Sequence, residues 1–216
     1  MSREEYFRRW SLLHEGIDPG GVRFVRGWLS IAYAVARPLA AARIPPTVVT
    51  LAGLLTAVAT VPIAGLGARW PLLGLVLVVA SGLLDNLDGA VAVLTDRVTA
   101  RGALADTICD RLADAAYGGA FWALGAPAWI AIAWVALSWL AEYVRARGHE
   151  LLGRTIDVVT VGERPTRIVL LSFAMAGCGL VPAHADDIAM VFAVAATGTA
   201  VVGLIQIVVA VGRRLD

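Results

Sequence analysis

The chain has 216 residues, of which 59% are hydrophobic and only 16% charged, and its formal net charge is +1. A soluble domain carries roughly 25% charged residues, so an ordinary soluble globular protein is excluded. The near-neutral balance gives no reason to expect a nucleic-acid partner.

In chain order, residues 1–20 read as a short polar helix, with Ser2 and Glu5 at capping-box spacing. Asp18-Pro19-Gly20-Gly21 then breaks it. This stretch lacks the apolar region of a signal peptide, so the first span is expected to direct insertion. Residues 22–43 set Arg23, Arg26, Arg37 and Arg43 among Val, Phe, Trp, Leu and Ile. That pattern fits an amphipathic helix in the membrane interface better than a span, because arginines are costly in hydrocarbon. Six apolar stretches follow, at about 46–66, 71–94, 102–124, 126–144, 168–181 and 188–212, all but the fifth near the length that crosses a bilayer. The fifth is short and is expected to extend back through Pro165.

The expected fold is therefore an all-α integral membrane protein, six transmembrane helices preceded by an N-terminal interfacial helix. Residues 1–45 form a cytoplasmic segment with that helix, and 46–216 the membrane domain. All 18 basic residues are arginine. Arginine suits bidentate phosphate contacts, and a GC-rich genome accounts for the bias equally well. In the six-span arrangement sixteen arginines fall on one side, only Arg69 on the other, and Arg111 inside the third span. The positive-inside rule then places both termini in the cytoplasm, with the protein in the cell membrane. Cys109 and Cys178 lie in apolar stretches, so no disulfide framework is expected.

The second and third spans carry acids where hydrocarbon should exclude them: Asp85 and Asp88, then Asp106, Asp110 and Asp114, with Arg111. Ionisable groups at such depth face a bundle interior or an aqueous cavity and mark function. Asp85 and Asp88 are three apart, Asp106 and Asp110 four apart, so each pair shares a helix face. A short loop makes the two helices antiparallel neighbours, and four carboxylates can converge near the cytoplasmic side. Clustered anions call for hard divalent cations, Mg²⁺ or Mn²⁺, and two ions would serve phosphoryl transfer. Gly89 and Gly102 flank the acids, either as packing glycines or as points of close ligand approach. Asp114 reads as a partner of Arg111. An ion or proton relay is the competing use of such aspartates, but no internal repeat or broken helix accompanies them.

Asp85-Asn86-Leu87-Asp88-Gly89-Ala90-Val91-Ala92, then Gly102-xxx-Asp106-xxx-Asp110, resembles the signature of the CDP-alcohol phosphotransferase family, D-x-x-D-G-x-x-A-R, about eight residues, G-x-x-x-D-x-x-x-D. Val93 stands where that signature has arginine. The resemblance implies that Asp85, Asp88 and Asp106 bind metal. It implies that Asp110, near the metals, is the general base or else only a further metal ligand. The acceptor hydroxyl would attack the β-phosphorus of a CDP-lipid, such as CDP-diacylglycerol, and CMP would leave. Pro46 and Thr50 match a P-x-x-x-T element on the nucleotide side, and Arg97, one turn beyond Val93, is placed to substitute for the missing arginine, the alternative being a modified donor. A homodimer is implied as well. A weakened or catalytically silent paralogue is a competing reading, with Val93 as its only support against four retained aspartates.

Arg145, Arg147, Arg164 and Arg167 frame the connection between the fourth and fifth spans, as membrane anchors or as a phosphate pocket. Arg145-Ala146-Arg147 and Glu163-Arg164-Pro165-Thr166-Arg167 resemble the K-A-R and E-R-P-x-R elements of actinobacterial phosphatidylinositol phosphate synthases. That resemblance implies a phosphorylated polyol acceptor, inositol phosphate, with glycerol phosphate as the alternative.

Overall fold

A computed structural model describes residues 1–13, 23–153 and 155–215. The expected break at Asp18-Pro19-Gly20-Gly21 lies outside the described residues, as does Arg154. Among the described residues the regular structure is entirely helical: α1 (Arg3–Leu13), α2 (Arg23–Ala41), α3 (Pro46–Gly65), α4 (Pro71–Thr95), α5 (Ala100–Ala123), α6 (Ala128–Leu152), α7 (Arg164–Leu180) and α8 (Ala185–Leu215), with a single 3₁₀ turn at Pro182–His184.

Local chemistry explains the helix ends. Ser2 caps α1, its Oγ accepting from the Glu5 amide at 3.2 Å, while the Glu5 carboxylate turns to Arg9 at 3.5 Å. Thr99 caps α5 in the same way, accepting from the Gly102 amide at 3.0 Å. Pro165 sits in the first turn of α7, where a missing N–H costs nothing. Gly153 closes α6 in the left-handed conformation, φ 63°. Because α6 runs on to Leu152, Arg145 and Arg147 are helical residues and not part of a loop.

Among the described residues three segments are long and apolar enough to cross a membrane: α3, α4 and Pro182–Leu215. The expectation of six spans is met only to that extent. α5 carries Asp106, Asp110, Arg111 and Asp114, and α7 has 17 residues with two arginines at its start.

The chain divides into two compact units, Met1–Leu55 with Ser81–Asp110, and Thr56–Ala80 with Arg111–Asp216. In the first, α1 packs on α2, and one core joins Tyr6 and Leu29, Ala32 and Ala36 of α2 to Val49, Leu87, Val91 and Val93. The opposite face of α2 exposes Ile31 and Val35. Arg9 donates to Asp96 at 2.8 Å, tying α1 to the end of α4. Tyr33 donates to the Met1 carbonyl at 3.0 Å.

In the second unit α6 and α7 both pack on α8. The buried face of α8 runs from Ala189, Ala193, Ala196, Ala200 and Gly203, small residues that let backbones approach closely, to Ile207 and Val211. Trp134 and Phe121 meet edge to face at 5.5 Å. The connection from α6 to α7 also lies against α8. A Cβ on Gly203 would stand 2.9 Å from the Gly162 nitrogen, so only glycine admits the loop there. Gln206 accepts from the Val161 amide at 3.0 Å and fixes its register.

Candidate active site

The first unit contains a cavity of about 800 Å³ lined by residues of all its helices. Pro46, Thr50, Asp85, Asp88, Gly89, Arg97, Gly102 and Asp106 line it, together with Val93 and Tyr6. The five residues expected to face a nucleotide donor, Pro46, Thr50, Gly89, Arg97 and Gly102, are thus gathered on one surface. Its size is that of a site for a ligand of nucleotide dimensions. A side chain at Gly89 would meet nothing within 4 Å, so the cavity is open beside the acids. Thr50 donates its hydroxyl to the Pro46 carbonyl at 3.2 Å, within its own helix. Arg97 is the cation among the lining residues, and Val93 is 5% exposed within the apolar core.

The carboxylates of Asp85, Asp106 and Asp110 each offer an oxygen within 4.8 Å of the others. α4 supplies one and successive turns of α5 the other two. At an effective dielectric near 20, like charges about 5 Å apart repel by about 3 kcal/mol per pair. A divalent cation relieves this, and an all-oxygen carboxylate set fits Mg²⁺ or Mn²⁺. Asp88 is not in that trio. It is 6% exposed, and its Oδ1 accepts from the Gly89 amide at 2.6 Å, which turns it toward its own backbone.

The acceptor-side arginines belong to the second unit, and two are deeply engaged. Arg167, 3% exposed, donates through Nε to the Gly162 carbonyl at 2.9 Å, through Nη1 to Asp114 at 2.8 Å and through Nη2 to Glu142 at 3.1 Å. Arg145 donates to the Val158 carbonyl at 2.8 Å and to Glu163 at 2.6 Å. Arg147 is exposed and pairs with Glu150. Arg164 is half-buried at the start of α7. Arg111 reaches Asp114 at 3.6 Å as expected, but the shorter bond to Asp114 comes from Arg167. Asp114 is fully buried, and a buried charge needs such partners.

Glu142 and Glu163 were not anticipated as members of this cluster. The available signals were the three-residue spacing of Glu142 and Arg145 on one helix and the position of Glu163 directly before α7. Neither identifies Arg167, which lies 25 residues from Glu142.

Helices long and apolar enough to cross a membrane, an acidic trio that could hold a metal ion and an open cavity stand together in this chain. The chain belongs to the CDP-alcohol phosphatidyltransferase family, whose sequence profile matches residues 43–210. It is 35% identical over 156 residues to an archaetidylinositol phosphate synthase of Methanothermobacter thermautotrophicus, covering 69% of this chain and 76% of that one. It is 34% identical over 125 residues to the archaetidylinositol phosphate synthase of Aeropyrum pernix, covering 56% of this chain and 61% of the relative's length. The fold is similar to that of Mycobacterium tuberculosis phosphatidylinositol phosphate synthase crystallised with manganese and citrate, with TM-score 0.68 at 24% identity over 86% of this chain and 92% of that one. The same enzyme with CDP-DAG bound gives TM-score 0.62 at 27% identity over 82% and 94% of the two chains.

Proposed function

We propose that this chain transfers a phosphatidyl-type group from CDP-diacylglycerol, or a related CDP-lipid, to a phosphorylated small alcohol and releases CMP. The observation that carries the proposal is the convergence of Asp85, Asp106 and Asp110 beside the cavity that Pro46, Thr50, Gly89, Arg97 and Gly102 line. Inositol phosphate is the acceptor that the names of both archaeal relatives and of the mycobacterial fold neighbour favour over glycerol phosphate.

Asp85, Asp106 and Asp110, with Asp88, would hold Mg²⁺ or Mn²⁺, as the manganese in the mycobacterial crystal supports. Held there, such ions would supply positive charge to offset that of the donor's diphosphate. Asp110 takes the proton from the acceptor hydroxyl as that oxygen attacks the β-phosphorus. Arg97 meets the donor's phosphates in place of the arginine that Val93 replaces. Arg145, Arg147, Arg164 and Arg167 offer guanidinium donors to the acceptor's phosphate.

In this reading α3 to α8 all cross the bilayer with both termini cytoplasmic. α2 lies in the interface with Ile31 and Val35 toward lipid, and the protein works as a homodimer. The test is CMP release by purified protein supplied with CDP-diacylglycerol and, separately, inositol phosphate, glycerol phosphate and inositol. Release with inositol phosphate alone is expected. Release with free inositol but not its phosphate overturns the acceptor class.

A further inference from the structure

Three guanidinium groups of the second unit meet one carboxylate. Glu142 Oε1 lies 3.1 Å from Arg167 Nη2 and 3.8 Å from Arg111 Nη1, and its Oε2 lies 3.7 Å from Arg145 Nε. Arg111, Arg145 and Arg167 thus share three carboxylates, Asp114, Glu142 and Glu163. A phosphorylated acceptor that uses these donors must take the place of one of the three acids.

The three acids differ in how firmly they are held. Asp114 is 0% exposed and bonded to Arg167 at 2.8 Å. Glu163 accepts from Arg145 at 2.6 Å, from the Thr160 amide at 2.9 Å and from the Thr160 hydroxyl at 3.0 Å. Glu142 has one hydrogen bond, at 3.1 Å, and two longer ion pairs, and its side chain is 29% exposed. It is therefore the acid that a stronger anion can replace. A phosphate dianion offers more charge and three acceptor oxygens to the same donors, whereas an uncharged hydroxyl offers neither.

We propose that Glu142 is a specificity-determining residue for the acceptor: its carboxylate occupies the anion position of the Arg111–Arg145–Arg167 cluster, and the acceptor's phosphate binds by displacing it. The cluster thereby keeps its donors paired when empty and admits only a ligand anionic enough to evict the glutamate. This rests on the phosphorylated acceptor of the preceding section.

The test compares wild-type full-length protein with Glu142→Gln and Glu142→Asp, using inorganic phosphate as probe, read by calorimetric titration and by competition against the acceptor in CMP release. Removing the competing charge is expected to tighten phosphate binding about tenfold in Glu142→Gln, with Glu142→Asp near wild type. Glu142→Ala serves the same comparison if the glutamine variant does not fold. Phosphate affinity equal to or below wild type in the neutral variant overturns the proposal. The wild-type acceptor panel separates the two failures. Wild type that uses only uncharged alcohols removes the phosphorylated acceptor and this inference with it. Wild type that uses a phosphorylated alcohol, while the neutral variant binds phosphate no better, removes the role of Glu142 alone.

Discussion

The two units hold charge in opposite ways. In the first, α4 and α5 gather three acids within 4.8 Å beside an open cavity. In the second, three arginines interleave with three acids around the buried Asp114. Like charges brought together are costly and persist where a ligand offsets the repulsion. Opposite charges brought together at depth form a scaffold whose value depends on every partner being present. The first arrangement reads as a place to bind cations. The second reads as a rigid frame with one exchangeable member.

The comparison breaks most visibly at Asp110. Replacing it with asparagine removes both a charge from the trio and the proposed base, and CMP release is expected to fall about 10²- to 10⁴-fold. Release measured with the donor saturating checks this, and an unchanged rate removes the base assignment.

The second cluster is expected to answer in stability. Asp114→Asn leaves Arg167 buried with one carboxylate fewer and is expected to cost about 3–5 kcal/mol, measured by thermal or denaturant unfolding in detergent. Asp114→Asn with Arg167→Gln is expected to cost less than the sum of the single changes. An additive cycle contradicts the pairing.

A smaller effect sharpens the picture of α1. Burial raises the Tyr6 phenol from its ordinary 10.0 to about 12. The folded protein thus keeps a proton that the unfolded chain gives up above pH 10, so stability is intact below pH 10 and declines until about pH 12. The loss over those two units is about 3 kcal/mol. Tyr6→Phe is expected to flatten that part of the stability profile, and a profile identical to wild type contradicts the assignment. Least is expected of the exposed Arg9–Asp96 pair: Arg9→Ala is expected to change stability by less than about 1 kcal/mol, in the same unfolding measurement.

Much of this was legible in the sequence. Apolar runs located α3 to α8, and for α3, α4 and Pro182–Leu215 the run is long enough to cross a membrane. The four-residue spacing of Asp106 and Asp110 placed both on one face of α5, where they join Asp85. The cavity likewise collects Pro46, Thr50, Gly89, Arg97 and Gly102. Other features were not legible. The extension of α6 past Val144 follows from residues that are polar yet good helix formers, so an apolar window stops short of it. The turn of Asp88 toward the Gly89 amide is a rotamer choice that spacing does not encode. The Arg167–Asp114 pair joins residues 53 apart in sequence, and only the packed helices bring them together. For that reason Arg145 and Arg167 looked open to phosphate in the sequence, whereas in the fold they already hold carboxylates.

The central claim, that clustered carboxylates act through divalent cations on a CDP-lipid, is tested most directly by CMP release from CDP-diacylglycerol and inositol phosphate, before and after chelation. Release that stops when divalent ions are removed and returns with Mg²⁺ or Mn²⁺ is the predicted result. Release that continues undiminished in excess chelator contradicts it.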